Sequence, residues 1–519
     1  MRKQVQINMD PADAADDLRI RQIAASLTGI DVGDIAEIKI VKRSVDARKK
    51  NIRVNLTVEL LTGEDAQTEA IPPFKTQDVS KKQEVIIVGS GPAGLFAALR
   101  LIELGLKPVI IERGKDVSAR KRDIAKISRE LIVDADSNYC FGEGGAGTFS
   151  DGKLYTRSKK KGDNTRVLEI LCLHGANKNI LYEAHPHLGT DKLPGIISKI
   201  RQTILDAGGL FILEKRVTDL ILNDDVIEGV ITADNEKYMA GNVILATGHS
   251  ARDIYYLLQK HDIELQIKPF ALGVRVEHPQ ELIDTIQYHG NARGKFLPAA
   301  SYNLVKQVEG RGVYSFCMCP GGFIVPSATS QEEVVVNGMS PSERNSPYAN
   351  AGIVVEIRPE DLVKYFPSGE LAGLEFQKEI ERLAWKNAGH SQKAPAQRLG
   401  DFVSGKISAS LPEVSYFPGV TVSPLHSWLP KSIGKRLRDG LRLFGSQLNG
   451  FLTNEAVVLG VESRTSSPVR IPRDPVKMNH ISIAGLYPCG EGSGYSGGIV
   501  SSAVDGIKAA DAIARKLAL

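Results

Sequence analysis

Glycines and cysteines are the residues whose spacing in this 519-residue sequence could do chemistry. Gly89-Ser90-Gly91-Pro92-Ala93-Gly94 follows the apolar run Val85-Ile86-Ile87-Val88 and opens a helical pattern. In that setting Gly89 permits a tight turn, Gly91 lets a pyrophosphate approach the backbone, and Gly94 lets the helix pack on the strand. With Pro92 and Ala93 in the first helical turn, phosphates meet free N–H groups and the positive end of the helix dipole. Glu112 ends a second buried strand, 18 residues after Gly94. A carboxylate there is suited to ribose hydroxyls and disfavours a 2′-phosphate. The pattern predicts a bound dinucleotide, FAD or NAD.

Three further features favour FAD. Phe141–Leu154 is a second glycine-rich loop, with five glycines between positions 142 and 152. Its Gly145 and Gly147 let backbone lie against a ligand, and Thr148, Ser150 and Asp151 offer polar contacts. Val243–Gly248 is a buried strand ending in Ala246-Thr247-Gly248, similar to the sheet-return segment of two-dinucleotide-fold flavoproteins. Gly485–Ile499 resembles the distal flavin motif, in which Gly490-Glu491 meets the ribityl chain. A helix beginning after Gly497-Gly498, at Ile499, would point its N–H groups at the pyrimidine edge of the flavin, where charge develops on reduction. Gly492–Gly497 also reads G-x-G-x-x-G, but only about 20 residues follow Ile499, too few for the βαβ unit that motif requires. No dedicated NAD(P) domain is evident, so NADH or NADPH would visit the flavin only transiently as electron donor.

Cys317-Met318-Cys319 precedes Pro320-Gly321-Gly322. Two thiols at that spacing could exchange electrons with a flavin, or one could act as an acid; packing of small side chains is the competing reading. Arg275, Glu277 and His278, with Glu462, Arg464 and Arg470, form two charged segments. They suit either an anionic-substrate pocket or an ion pair between domains, and Arg464 joins the two cysteines as a candidate catalytic residue. Cys140 has Gly145 where Cys-x4-Cys spacing would need a partner, which argues against a disulfide-reductase mechanism. His185-Pro186-His187 lacks a second pair of ligands, so no metal is expected.

The elements that must position these groups form three units. Residues 1–80 read as a small α+β domain: a strand over Gln4–Met9, a helix opening at Asp10/Pro11, strands over Ile35–Val41 and Asn51–Leu60, and a linker at Ile71-Pro72-Pro73. Its Arg43–Lys50 segment is a basic turn, yet residues 1–80 hold 12 Lys/Arg and 13 Asp/Glu, so no broad positive face is expected. Residues 81–250 read as βαβ, with strands over Val85–Val88, Pro108–Glu112, Phe211–Ile221, Val226–Ala233 and Val243–Ala246 and a helix over Leu188–Gly209. Residues 251–479 show no dominant period, and 480–519 return to the dinucleotide unit with a helix over Val500–Leu517.

With Arg43–Lys50, Gly89–Gly94, Phe141–Leu154, Gly248–Asp253, Gly273–Pro279, Phe316–Gly322, Gly460–Arg470 and Gly485–Gly506 taken together, nearly the whole chain resembles a known group. It is similar to bacterial NAD(P)/FAD-dependent dehydrogenases, a branch of the glutathione-reductase-like two-dinucleotide-fold flavoproteins with its own C-terminal domain. The resemblance implies tight FAD binding and a redox role. It also implies that Val217 meets adenine through its backbone and that Arg113 and Arg120 are pyrophosphate partners.

The fold class expected is α/β: a Rossmann-like FAD/NAD(P)-binding domain split around an inserted mixed α+β substrate domain, preceded by the small α+β domain. The function expected is an FAD-dependent oxidoreductase passing hydride through flavin N5 to or from a small organic substrate. The alternatives are an RNA-binding or RNA-modifying flavoprotein, motivated by the basic turn, and a thiol–disulfide redox flavoprotein using Cys317/Cys319. Lys plus Arg number 65 against 61 Asp plus Glu, too small an excess for a nucleic-acid coat. Five sparse cysteines and an N-terminus without an apolar signal core lead to an expected cytoplasmic location and no membrane partner.

Overall fold

The computed structural model describes residues 2–63, 71–155, 163–290 and 293–518. Residues 64–70 of the unit read over 1–80, and 156–162 of the one read over 81–250, lie outside the described residues, as does Met1.

The N-terminal unit is a three-stranded antiparallel sheet covered by one helix: β1 (Arg2–Met9), α1 (Asp17–Thr28), β2 (Ile35–Asp46) and β3 (Arg53–Thr62), in the order β1-β3-β2. The helix starts later than Asp10/Pro11 because Asp16 is its cap, accepting hydrogen bonds from the N–H groups of Leu18 and Arg19. Ile20 and Ala24 bury against Ile7, Val54, Leu56 and Val58, whereas Leu18 and Leu27 face solvent. The basic segment is only partly a turn. β2 continues to Asp46, and Arg43 exchanges backbone hydrogen bonds with Tyr182 and Ala184 at 2.9 Å, which docks the root of this hairpin onto the next unit.

In that next unit, besides the helix Asn164–Leu173, the elements are β4 (Glu84–Val88), α2 (Pro92–Glu103), β5 (Lys107–Ile111), α3 (Val117–Glu130), α4 (Leu193–Asp206), β6 (Leu210–Ile212), β7 (Val217–Asn223), β8 (Val226–Thr232), β9 (Lys237–Met239) and β10 (Val243–Leu245). A parallel five-stranded sheet runs from the strand Leu486–Pro488 through β10, β4 and β5 to β6. Val85–Val88 is apolar without alternation because both of its faces are covered. The predicted strand Phe211–Ile221 is in fact two. Glu214 takes φ +58°, and the chain leaves the parallel sheet at β6 and enters the antiparallel β7-β8-β9 sheet. On the other face the C-terminal helix Ile499–Lys516 lies along α2, closely enough that a Cβ on Gly506 would sit 2.0 Å from the carbonyl oxygen of Ala93.

Residues 252–480, where no period stands out in the sequence, contain a seven-stranded sheet built from β11 (Phe270–Pro279), β12 (Val305–Val308), β13 (Arg311–Cys319), β14 (Tyr348–Ile357), β15 (Ala394–Arg398), β16 (Val420–Val422) and β17 (Val457–Glu462). Its order is β12-β13-β14-β11-β17-β15-β16. β11, β14 and β17 are buried along nearly their whole length, and a strand covered on both faces shows no alternation. Where the chain enters and leaves this sheet, Gln266–Ile267 pairs antiparallel with Val469–Arg470. The helix Arg252–Lys260 packs Ile254, Tyr255 and Leu258 with Ile86, Val88 and Val243, so the predicted boundary at 250/251 falls before an element that shares the parallel sheet's core. Among the described residues no helix is long and apolar enough to cross a membrane, and no group of three metal-ligating side chains occurs.

Two glycine substitutions separate close packing from chain entropy. Gly506→Ala drives a methyl into the α2 backbone and is expected to cost about 1–3 kcal/mol. Gly195→Ala, on the exposed face of α4 with nothing within 4 Å of the added Cβ, is expected to gain about 0.5–1 kcal/mol. Denaturant unfolding of both variants checks the pair.

Candidate functional site

A single cleft runs along the carboxyl ends of the parallel strands, with about 1180 Å³ between its walls including its solvent-open side. Gly89, Gly91, Pro92 and Ala93 form one wall, and Gly145, Gly147 and Ser150 of the second glycine loop face them. Glu112, Arg113 and Val217 line one end, Ala246, Thr247 and Gly248 the floor, and Gly490, Glu491, Gly498 and Ile499 the other end. The two glycine loops touch: Gly144 N–H donates to Ser90 O at 3.1 Å, and a Cβ on Gly145 would lie 3.0 Å from Gly91 Cα. α2 and the C-terminal helix both begin at this cleft, at Gly91 and Gly498, and neither N-terminus has a side-chain cap. Orphan N–H groups and two dipole ends therefore face one space, which favours negative charge there.

Glu112 binds the loops together. Its carboxylate accepts from Ser90 N–H at 2.9 Å, Ser90 Oγ–H at 2.8 Å, Gly114 N–H at 2.9 Å and Gly142 N–H at 3.0 Å. These occupy the roughly four lone-pair sites a carboxylate offers. The rotatable Ser90 hydroxyl is the one donor that a ribose hydroxyl can replace without moving backbone.

Arg120, predicted to meet the pyrophosphate, is instead fully buried beneath the second loop. Its guanidinium donates to the carbonyls of Asn138, Tyr139, Gly142 and Glu143 and to Thr148 Oγ1, at 2.7 to 3.2 Å. Burial lowers its pKa to about 10, against the pull of Glu112, and it stays charged at neutral pH. Thr148 likewise turns inward, donating to Glu143 O at 2.7 Å. Gly94 lies behind the wall as a packing residue, where an added Cβ would meet Gly89 O at 2.0 Å. Gly497 is exposed beside the cleft rather than lining it, its N–H donating to Ser501 Oγ at 3.2 Å. Arg113 does line the cleft, but its guanidinium is held by Asp136 at 2.7 Å and Asp253 at 3.0 Å, above the Phe141 ring.

The Glu491 end carries two groups shifted far from their ordinary pKa values. Burial pushes the Glu491 carboxyl up to about 7, with Lys268 opposing it. His249 Nε2 stands 3.9 Å from Glu491 Oε2. Burial, then the cations Arg464 and Arg252, hold His249 down to about 3, so its ring is neutral. Sequence reasoning missed His249 as a site residue; the signal was its place directly after Ala246-Thr247-Gly248. The Tyr255 hydroxyl ties the helix Arg252–Lys260 to the distal loop, donating to Gly492 O at 2.7 Å.

Arg464, a candidate for catalysis in the sequence, does not line the cleft. It bonds Glu333 at 2.7 Å and Glu381 at 2.8 Å, and Arg252 bonds the same two carboxylates at 3.0 and 2.7 Å. The four form a buried, charge-balanced ring. Arg275 and Glu462 pair at 2.7 Å inside the seven-stranded sheet, Glu277 bonds Ser415, and His278 Nε2 bonds Phe451 O at 2.9 Å. None of these groups lines the cleft; Glu277 and His278 instead border a separate hollow with Tyr348 and Arg398. Asp151 also lies outside the cleft lining, paired with Lys153 and Arg344 at 3.1 Å each. Lys153 in turn approaches Cys317 and Cys319.

Residues 269–465 match the family described as FAD-dependent protein, C-terminal domain-like. Residues 82–126 match an FAD binding domain, 194–301 match glucose inhibited division protein A, and 1–61 match a domain of unknown function. An uncharacterized protein of Clostridium beijerinckii is 39% identical over 99% of this chain and 99% of its own. The tRNA uridine 5-carboxymethylaminomethyl modification enzyme MnmG of Lactobacillus helveticus is 26% identical over 34% of this chain, and the match spans 24% of that enzyme's length. The crystal structure of CtdE in complex with FAD aligns over 83% of this chain and 84% of that one, at 11% identity and TM-score 0.32.

Two outcomes test the site. Arg120→Met leaves buried carbonyls without donors and is expected to destabilise the protein by about 3 kcal/mol, read by thermal unfolding. The raised Glu491 pKa means the folded protein binds a proton that the unfolded chain releases above its ordinary value of 4.5. This contribution is present at low pH and is lost as pH rises through about 7. Wild type is therefore expected to lose stability relative to Glu491→Gln between about pH 5 and 8, and equal pH slopes for the two would refute the assignment.

Proposed function

The chain belongs to the FAD-dependent proteins that carry this C-terminal domain, FAD is its cofactor, and on that premise we propose an oxidoreductase acting on a small organic molecule. The observation that carries this reading is the convergence of both glycine loops, two uncapped helix N-termini and the Gly490–Ile499 segment on one cleft. These residues fit the group. Gly91 and Gly145 leave no Cβ where a pyrophosphate would pass, Glu112 would hold the ribose, Arg113 and Val217 would flank the adenine, and Gly490, Gly498 and Ile499 would hold the ring.

Bound FAD supplies two-electron chemistry, a hydride passing to or from its N5 position. The chain's own part is to bind, orient and manage protons. The N–H groups at Gly498 and Ile499 would stabilise negative charge placed at this end of the cleft. Glu491 is the cleft carboxyl that titrates near neutrality, and it holds or releases the proton that accompanies the hydride. Neutral His249 orients beside it. Residues 81–250 and 480–519 are proposed as the cofactor module and 251–479 as the substrate domain. NADH or NADPH is the proposed transient electron donor and the cytoplasm the proposed location.

A second reading, an RNA-modifying flavoprotein, is favoured by the MnmG relatives and by the exposed Arg48-Lys49-Lys50 hairpin tip. Phosphate contacts weaken steeply with salt. RNA binding that falls with ionic strength and is lost in an Arg48→Ala/Lys49→Ala variant would support it.

The expected outcome for the main reading is a purified protein that takes up FAD, with Glu112→Ala weakening that affinity at least about tenfold. Anaerobic mixing with NADH and NADPH is expected to bleach the flavin absorbance. Failure to take up FAD would overturn the reading.

A further inference from the structure

Cys317 and Cys319 take no part in the cleft described above, yet they are not packed as inert thiols. β13 ends in a bulge, its register against β14 shifting between Phe316 and Cys319. Cys317 there adopts φ +44°, a left-handed conformation that strains any residue with a Cβ. In a regular strand, residues two apart stand roughly 6.5 Å from one another. The bulge brings the two sulfurs to 4.0 Å. The sulfurs are thus about 2 Å farther apart than in a disulfide bond.

Lys153 Nζ stands 3.4 Å from Cys319 Sγ and 3.8 Å from Cys317 Sγ. Asp151 holds that ammonium at 3.1 Å, and Arg344 shares the same carboxylate oxygen. Arg275 donates to the Cys317 carbonyl at 3.3 Å and pairs with Glu462. Three cations thus face two carboxylates, and although the Lys153 side chain is 36% exposed, this net positive setting favours a thiolate over a thiol. The Cys319 S–H bond, and after it Lys153 and Arg275, hold Cys317 well below the ordinary thiol range, against burial. The same coupling pushes Cys319 above it. Asp151 Oδ1 and Asn350 Nδ2 are buried nearby without a hydrogen-bond partner, so the cluster keeps polar capacity that the protein does not use.

We propose that Cys317 and Cys319 form a thiol–disulfide exchange site, with Cys317 the attacking sulfur and Cys319 the resolving one. The substrate class is a low-molecular-weight disulfide. Cys319 is fully buried and Cys317 only partly exposed, which excludes a disulfide held in a folded protein. The Cys317 thiolate attacks one sulfur of R–S–S–R; the S–S bond breaks, and the departing thiolate takes a proton from solvent. Cys319 then loses its proton to solvent and attacks Cys317 Sγ. The second thiolate leaves and is protonated in turn. Two protein thiols are oxidised to one disulfide and one substrate disulfide is reduced to two thiols, so electrons and protons balance without another reactant. Lys153 stabilises the negative charge on either protein sulfur.

The full-length protein, equilibrated in mixtures of glutathione and its disulfide, acid-quenched, alkylated and mass-analysed by peptide, tests this. The expected result is conversion of the 317–319 peptide from two alkylated thiols to an internal disulfide. Cys319→Ser should stop at a glutathione adduct on Cys317, and Cys317→Ser should carry no adduct at Cys319. Lys153→Met should move the pH midpoint of Cys317 alkylation upward, slowing the reaction up to about tenfold per pH unit of that shift at pH values below the midpoint, and Lys153→Arg should restore it. The proposal is overturned if both cysteines stay alkylatable in every mixture, or if Cys317 reacts no faster than Cys172, while circular dichroism shows intact fold. Flavin absorbance recorded on the same samples reports the cofactor separately, so loss of the thiol site and loss of the FAD reading are told apart.

Discussion

Two glycine-rich loops can lie against each other only if the backbone groups they expose find partners, and the rest of the cleft depends on how that is met. Glu112 accepts from both loops and from its own turn. Arg120 donates into carbonyls of the second loop and of the residues just before it from a fully buried position. One anion gathers N–H groups and one cation gathers C=O groups, each with geometry close to saturated. Glycine makes the close approach sterically possible, and these two charges make it energetically tolerable. A loop of this composition without them would have unsatisfied buried backbone on one side and a ligand on the other.

The same electrostatic logic joins the seven-stranded sheet to the parallel one. Arg252, on a helix packed against the parallel sheet, and Arg464, just after β17, share Glu333 and Glu381. Because this ring is charge-balanced and buried, it fixes the relative position of the two sheets and surrounds His249 with cations. Burial, and after it these cations, keeps the histidine neutral, whereas burial raises Glu491 against the pull of Lys268. Neither property belongs to the residue alone: each is set by the number of cations and the amount of water around it.

What could be read early and what could not divides along a physical line. Gly89–Ala93, Glu112, Gly145, Gly147, Ser150, Ala246–Gly248, Gly490 and Glu491 announced a cleft because a turn of positive φ or a close approach has few sequence solutions, and those solutions recur at fixed offsets from buried strands. Arg113, Arg120, Thr148, Asp151 and Arg464 were harder. A polar side chain satisfies itself with whatever lies within reach, and reach is a distance in space. Arg120 sits nearly as close in sequence to the phosphate loop as Arg113 does, yet points to the opposite side of the glycine loop.

The sequence by itself determined the dinucleotide strand–turn–helix, the return of the chain to that unit near its C-terminus, and the presence of a thiol pair at fixed spacing. Local backbone geometry and hydrophobic period are short-range, so they survive in one dimension. Only the tertiary structure decided that Phe211–Ile221 belongs to two sheets, that a helix beyond residue 250 packs on the parallel sheet, and that Lys153 stands beside Cys317 and Cys319. These are contacts between residues tens to hundreds of positions apart, and no local pattern encodes which buried charge will meet which thiol.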